Sequence, residues 1–276
     1  MRRRAPGRWD PRRCLAWAGL AGVLVLALGG CASQPGGGLE ASADVATQSD
    51  ESESRKRARI RLELAVGYFE EGKTDIALDE LKQVIAADPT FSDAYNLRGL
   101  IYMRLNDRRQ AEESFRRASS LNPRDSNVQH NLGWLYCQEG RYPDAQRAFD
   151  AAMSNPLYGG RAKTLLAQGV CQARAGQTAD AERSLSRAYE LDAGNPVTGY
   201  NLANLLYRRG DNTRAQFYIR RLNNSEFANA ESLWLGIKVE RRMNDQVAMG
   251  QLGEQLKKRY GQSREALAYE RGAFDE

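Results

Sequence analysis

Along most of the chain, an alanine is followed four positions later by a large apolar residue and seven later by a small or apolar one. Ala77-Leu81-Val84 sets the pattern; Ala111-Phe115-Ala118, Ala145-Phe149-Ala152, Ala181-Leu185-Ala188 and Ala215-Ile219-Leu222 repeat it. Ala248-Leu252 is a weaker sixth copy, with Gln255 in the last place. This spacing puts the three residues on one helix face. Twelve residues before each alanine stands a small residue: Ala65, Gly99, Gly133, Gly169, Ala203 and Gly236. Three positions after it an aromatic residue is common, as at Tyr68, Tyr102 and Tyr136. Turn signals separate the halves: Glu71-Gly72, Asn106-Asp107, Glu139-Gly140, Ala175-Gly176, Arg209-Gly210 and Asn244-Asp245. Asp88-Pro89, Asn122-Pro123, Asn155-Pro156 and Asn195-Pro196 close units. The pattern predicts six pairs of helices. Each pair leaves an apolar side that only its neighbour can cover. The alanines are spaced 34, 34, 36, 34 and 33 residues apart, so two extra residues fall in the loop near 155–160.

A period near 34 with these positions resembles the tetratricopeptide repeat (TPR). The third unit carries the resemblance best, through Leu132-Gly133, Tyr136, Ala145, Phe149 and Pro156. The resemblance implies an all-α, right-handed solenoid of about six helix-turn-helix repeats, whose first helices line a concave face. With position 1 at Ala58, Ser92, Ser126, Ala162, Pro196 and Asn229, positions 5, 9, 12 and 13 share one helical face. The candidate groove residues are therefore Leu62, Val66 and Phe69 in the first unit, and Asn96, Leu100, Met103 and Arg104 in the second. The third unit adds His130, Trp134 and Gln138, and the fourth Leu166, Val170 and Arg174. This surface is apolar with polar edges, which suits a hydrophobic or amphipathic peptide. Trp134 is the candidate anchor, since Trp is enriched at binding hot spots; the alternative is packing between neighbouring repeats.

The N-terminus breaks the pattern. Residues 1–13 are strongly basic, and Cys14 to Leu28 is a 15-residue apolar run. That is short for a membrane span, which needs about 20 residues, and it fits an export signal. Leu28-Gly29-Gly30-Cys31 resembles a bacterial lipobox. The resemblance implies cleavage before Cys31 and its lipidation; an uncleaved signal anchor is the alternative. Ala32 follows the cysteine, which by the same analogy implies the outer membrane, facing the periplasm. Residues 32–54 are rich in Ser, Ala, Gly and acidic residues and read as a flexible tether. The resulting organisation is a signal at 1–30, lipidated Cys31 and tether at 31–57, six repeats at 58–256, and a C-terminal cap at 257–276 with a short helix at 264–269.

Charge changes the picture once it is localised. The formal net charge is +5, but residues 1–30 hold six arginines against one aspartate, and the remainder carries 34 charges of each sign. A chain starting at Cys31 is neutral and offers no electrostatic footprint for nucleic acid. The one histidine, His130, lies two helical turns from Cys137, about 10 Å, too far for a nucleophile and its base. No zinc-ligand spacing occurs, and Gly36-Gly37-Gly38 lies in the tether rather than ahead of a helix. The expectation is a non-enzymatic protein without metal or cofactor. Cys137 and Cys171 fall on first helices of adjacent units. In an oxidising periplasm they suit a disulfide, with two buried thiols as the alternative.

Six such repeats behind a lipobox resemble the type IV pilus biogenesis/stability proteins of the PilF/PilW family. Tyr136-Cys137-Gln138, Val170-Cys171-Gln172, Asn155-Pro156-Leu157-Tyr158 and the tail Tyr269–Phe274 carry the likeness. The resemblance implies a pilotin, a lipoprotein that binds a segment of the outer-membrane secretin subunit or another pilus-assembly protein and assists its localisation. A TPR lipoprotein scaffold for outer-membrane barrel assembly or envelope enzymes is the alternative on the same fold and anchor.

Overall fold

The structure, a computed structural model, describes residues 51–274. The export signal, Cys31 and nearly all of the tether lie outside the described residues. Within them are thirteen helices and no strand. The first helices of the six pairs are α1 (Glu53–Glu70), α3 (Ser92–Arg104), α5 (Ser126–Gln138), α7 (Arg161–Arg174), α9 (Pro196–Arg208) and α11 (Ala230–Arg242). Their partners are α2 (Thr74–Ala87), α4 (Arg108–Leu121), α6 (Tyr142–Met153), α8 (Thr178–Leu191), α10 (Asn212–Asn223) and α12 (Gln246–Tyr260), with α13 (Arg264–Glu270) last. None is long and apolar enough to cross a membrane.

Each hairpin turns on a left-handed residue: Gly72, Gly140, Gly176 and Gly210, with Asn106 (φ 60°) and Asn244 (φ 59°) in the same place. Asn is the non-glycine residue that tolerates this conformation best. The pairs close because a small residue on the first helix faces a large one on the second. A Cβ on Gly133 would stand 2.6 Å from the Phe149 ring, and one on Gly169 2.7 Å from Leu185. Phe115, Phe149 and Ile219 have no solvent exposure. The backbones of successive first helices approach closely, whereas second helices meet only through long side chains, as in Tyr189 on Tyr218 and Arg214 with Glu182. The first helices therefore form the inner, concave side of the stack.

The structure corrects two boundaries. The tether was expected to reach residue 57, but α1 begins at Glu53. Ser52 caps it, its hydroxyl accepting from the Arg55 N–H at 3.2 Å. Arg55 then lies 3.8 Å over the Phe91 ring and pairs with Asp88. The last residues assigned to the tether are thus pinned to the α2–α3 corner.

The sixth repeat is shifted by one residue. Asn229 is the N-cap of α11 rather than its first residue, and its side chain and that of Ser232 form a reciprocal capping box. Counted from Ala230, the turn residue Asn244 regains its usual place. The buried second-helix positions become Gly253 and Leu256 rather than Leu252 and Gln255. The interval is 34, not 33. The small and large partners have exchanged: Ile237 stands on α11 and Gly253 on α12. The Tyr269 ring of α13 fills the space over Gly253. Helix α12 also runs to Tyr260, past the expected end of the repeats at 256. Trp234 stacks on Phe274 at 5.5 Å, covering the end of the core.

Candidate functional site

A cleft of about 580 Å³ opens on the concave side across α3, α5, α7 and α9. Leu100 and Met103 form one wall. Trp134 projects from α5, and Leu166, Ala167 and Val170 from α7 face it. Asn131, Lys163, Arg174 and Asn201 supply a polar rim, and Val197 closes the far side. The lining is predominantly aliphatic and aromatic, the character of a site that takes apolar side chains and orients them by a few polar groups.

Trp134 serves two purposes. It packs against the core cluster of Cys137, Ala145, Phe149 and Cys171 between the third and fourth repeats. It also lines the cleft, with the Arg174 guanidinium 5.4 Å from the ring centroid. A disulfide joins Cys137 to Cys171, with Cα atoms 5.6 Å apart. It lies one turn beyond Trp134 on α5 and one turn before Arg174 on α7, so the two helices that carry the central walls are covalently tied.

His130 forms part of the floor and is 5% exposed. Its Nδ1 lies 2.9 Å from the Thr164 hydroxyl, which donates to the Tyr158 hydroxyl at 3.3 Å. Since Thr164 has already used its proton, the neutral imidazole donates from Nδ1 to Thr164. Burial, and then the nearby Lys163 charge, push the His130 pKa down to about 4. The ring is therefore neutral at ordinary pH and acts as a structural donor. Tyr158 reaches this network from the longer loop after α6 and is itself buried. The longer loop thus supports the cleft floor indirectly, through Thr164 and His130.

Seven of the thirteen groove candidates line this cleft: Leu100, Met103, His130, Trp134, Leu166, Val170 and Arg174. The other six stand elsewhere. Leu62 and Phe69 pack against the first-repeat core, and Val66 is exposed beside them. Arg104 lies 3.7 Å over the Phe69 ring and donates to the Phe69 carbonyl. Asn96 accepts from Asn131 at 2.9 Å, and Gln138 faces solvent. Sequence reasoning missed Asn131, Lys163, Ala167, Val197 and Asn201. They occupy positions 2 and 6 of their units, which flank positions 5 and 9 on the same helical stripe. Widening the chosen face to these positions finds Asn131, Lys163 and Ala167; Val197 and Asn201 lie in the fifth unit, beyond the four from which candidates were drawn.

Tetratricopeptide-repeat models match residues 92–125, 114–147 and 172–233. The type IV pilus assembly protein PilF of Pseudomonas aeruginosa is 25% identical over 199 residues, which are 72% of this chain and 79% of that protein. A solved structure of PilF from the same organism aligns with a TM-score of 0.73 at 24% identity, covering 80% of this chain and all of that one. The structure of PilW, described as a widely conserved type IV pilus biogenesis factor, aligns with a TM-score of 0.72 at 26% identity, over 81% of this chain and 99% of the other. The chain carries tetratricopeptide repeats, is homologous to PilF and is close in structure to PilF and PilW. Its homologues are pilus biogenesis factors rather than enzymes.

Proposed function

From its homology to PilF and PilW, we propose that this chain is a non-enzymatic TPR protein of type IV pilus biogenesis, acting in the bacterial envelope as a lipid-anchored pilotin. Its concave cleft captures an apolar segment of the secretin subunit or of another pilus-assembly protein. Cys31 carries the lipid and holds the repeats at the periplasmic face of the outer membrane.

The cleft centred on Trp134 is the observation that carries this reading. It is an apolar trough on a rigid helical frame, with the residue type most enriched at binding hot spots at its centre. Three acyl chains at Cys31 would anchor stably where one holds only marginally.

Two measurements test the proposal. In a strain whose only copy carries Trp134→Ala, secretin multimers extracted from the outer membrane should fall severalfold, with protein level unchanged. Normal multimers and normal piliation in a full deletion would refute the pilotin role. For the anchor, Cys31→Ser should abolish metabolic labelling with a radioactive fatty acid and release the protein from the membrane fraction. Retention of label would place the lipid elsewhere.

A further inference from the structure

Beyond the apolar cleft, the concave face changes character. Counted in the corrected register, position 9 of the last repeat is Lys238, where the third repeat has Trp134. Position 13 is arginine in four of the six repeats: Arg104, Arg174, Arg208 and Arg242. None of these four arginines, nor Lys238, forms an ion pair among the described residues, although ion pairs are common elsewhere in the array, where they involve the second helices. Toward α9 and α11 the cations crowd together. Lys238 Nζ lies 5.4 Å from the Trp234 ring centroid and 5.9 Å from that of Tyr207. The Arg242 guanidinium stands 3.9 Å over the same Tyr207 ring and donates to the Tyr207 carbonyl at 3.0 Å. The Lys238 ammonium is pushed below its ordinary range by half-burial and by the charges of Arg208, Arg242 and Arg264. Of the carboxylates on this side, Glu265 pairs with Arg264 at 3.8 Å, and Glu231 and Glu265 both act on Tyr200.

Like charges held together, with no counter-ion on the patch among the described residues, raise the free energy of the empty protein, and an anion relieves it. Aromatic faces beneath the cations fix them in place and leave their outer sides open. The patch continues from the apolar cleft, whose far wall is already α9 through Val197 and Asn201. It also lies on the inner side of the stack, where a flat bilayer cannot follow the surface but a chain can. We infer that the groove is bipartite and takes a peptide with an apolar stretch seated at Trp134 followed by acidic residues that seat among Arg208, Lys238 and Arg242. This rests on the peptide-groove reading above and names the chemistry of the segment it takes.

Fluorescence anisotropy on the full chain with two labelled peptides tests it: a leucine- and valine-rich segment ending in a run of aspartates, and the same segment ending in asparagines. The aspartate peptide should bind on the order of tenfold more tightly at low salt, and the gap should close as salt screens it. An Arg208→Gln/Lys238→Gln chain, checked for helix content by circular dichroism, should lose the preference while still binding the asparagine peptide. Trp134→Ala should weaken both. Equal binding of the two peptides by the unaltered chain overturns the acidic subsite and leaves the peptide groove standing; binding of neither overturns both. Vesicles of phosphatidylglycerol that displace the aspartate peptide, and lose that ability in the double variant, would overturn it in favour of a lipid headgroup.

Discussion

Gly133 lacks a side chain because the Phe149 ring occupies the space one would need. Gly72 is glycine for another reason: a Cβ there would meet nothing within 4 Å, but its φ is +79°. Replacing each by alanine separates the two causes. Gly133→Ala forces a fully buried ring to move and should cost about 1–3 kcal/mol through overpacking. Gly72→Ala leaves packing intact and should cost about 1 kcal/mol through backbone strain alone. Denaturant midpoints measure both. His130 gives a prediction in pH. Its folded pKa of about 4 lies below the unfolded value near 6.5, so the unfolded chain binds the extra proton between these limits. Its contribution is fully present above 6.5 and is lost as pH falls toward 4, by up to about 3 kcal/mol. His130→Gln, which keeps a donor for Thr164, should flatten stability across that window. An unchanged slope would show that the ring protonates in place.

Most of the elements can be read from the sequence because every repeat reports on the others. A helix face seen weakly in one unit is seen again 34 residues later, and the turn residue marks the boundary between halves. The beginning and end of the array lack that redundancy. At α1 the residues that build the first turn are polar and charged; what orders them is Arg55 on Phe91, a tertiary contact without local signature. In the sixth repeat a small residue and a large one trade places, and an alanine one position off the true register imitates the repeat. Glu240 escapes for a related reason. It stands where earlier first helices carry Tyr68, Tyr102 and Tyr136, and nothing local marks it as buried. Yet its carboxylate has no exposure and accepts from Arg220 Nε at 2.7 Å, Arg220 Nη2 at 2.8 Å and Gln216 Nε2 at 2.7 Å. The pair clamps α10 to α11, and its two ends are not equivalent. Removing Arg220 strands a buried charge, so Arg220→Ala should cost about 3 kcal/mol. With Glu240→Leu, the half-exposed Arg220 can turn to water, so that variant should cost clearly less. Equal losses in a paired denaturation experiment would mean that packing rather than charge holds the joint.

At the scale of the whole array, stability is a sum of units and joints, and the ends decide where it frays. The candidate cleft spans the second to fifth first helices, so its walls are held from both sides, and the disulfide ties the two central ones. That placement was only partly legible: the tetratricopeptide resemblance names the helices of the groove and helical spacing the face they present, but which of its segments is apolar and which cationic depends on side chains from neighbouring units. The C-terminal end depends on α13, a helix too short to be stable alone. It supplies Tyr269 over Gly253, buries Ala266 and Ala268, and leads into Phe274, which stacks on Trp234. A chain ending after Tyr260 would expose this core, and the loss should stay local because each repeat touches only its neighbours. Hydrogen exchange should then show α11 and α12 losing protection strongly and α9 and α10 partly, while α3 to α7 exchange as before. The apolar cleft would survive and the cationic end of the groove would loosen, so the truncated chain should keep its affinity for an asparagine-tailed peptide and lose its preference for an aspartate-tailed one. If protection instead fell equally across all repeats, the array would be folding as one cooperative unit, and the two halves of the groove could not be tuned independently.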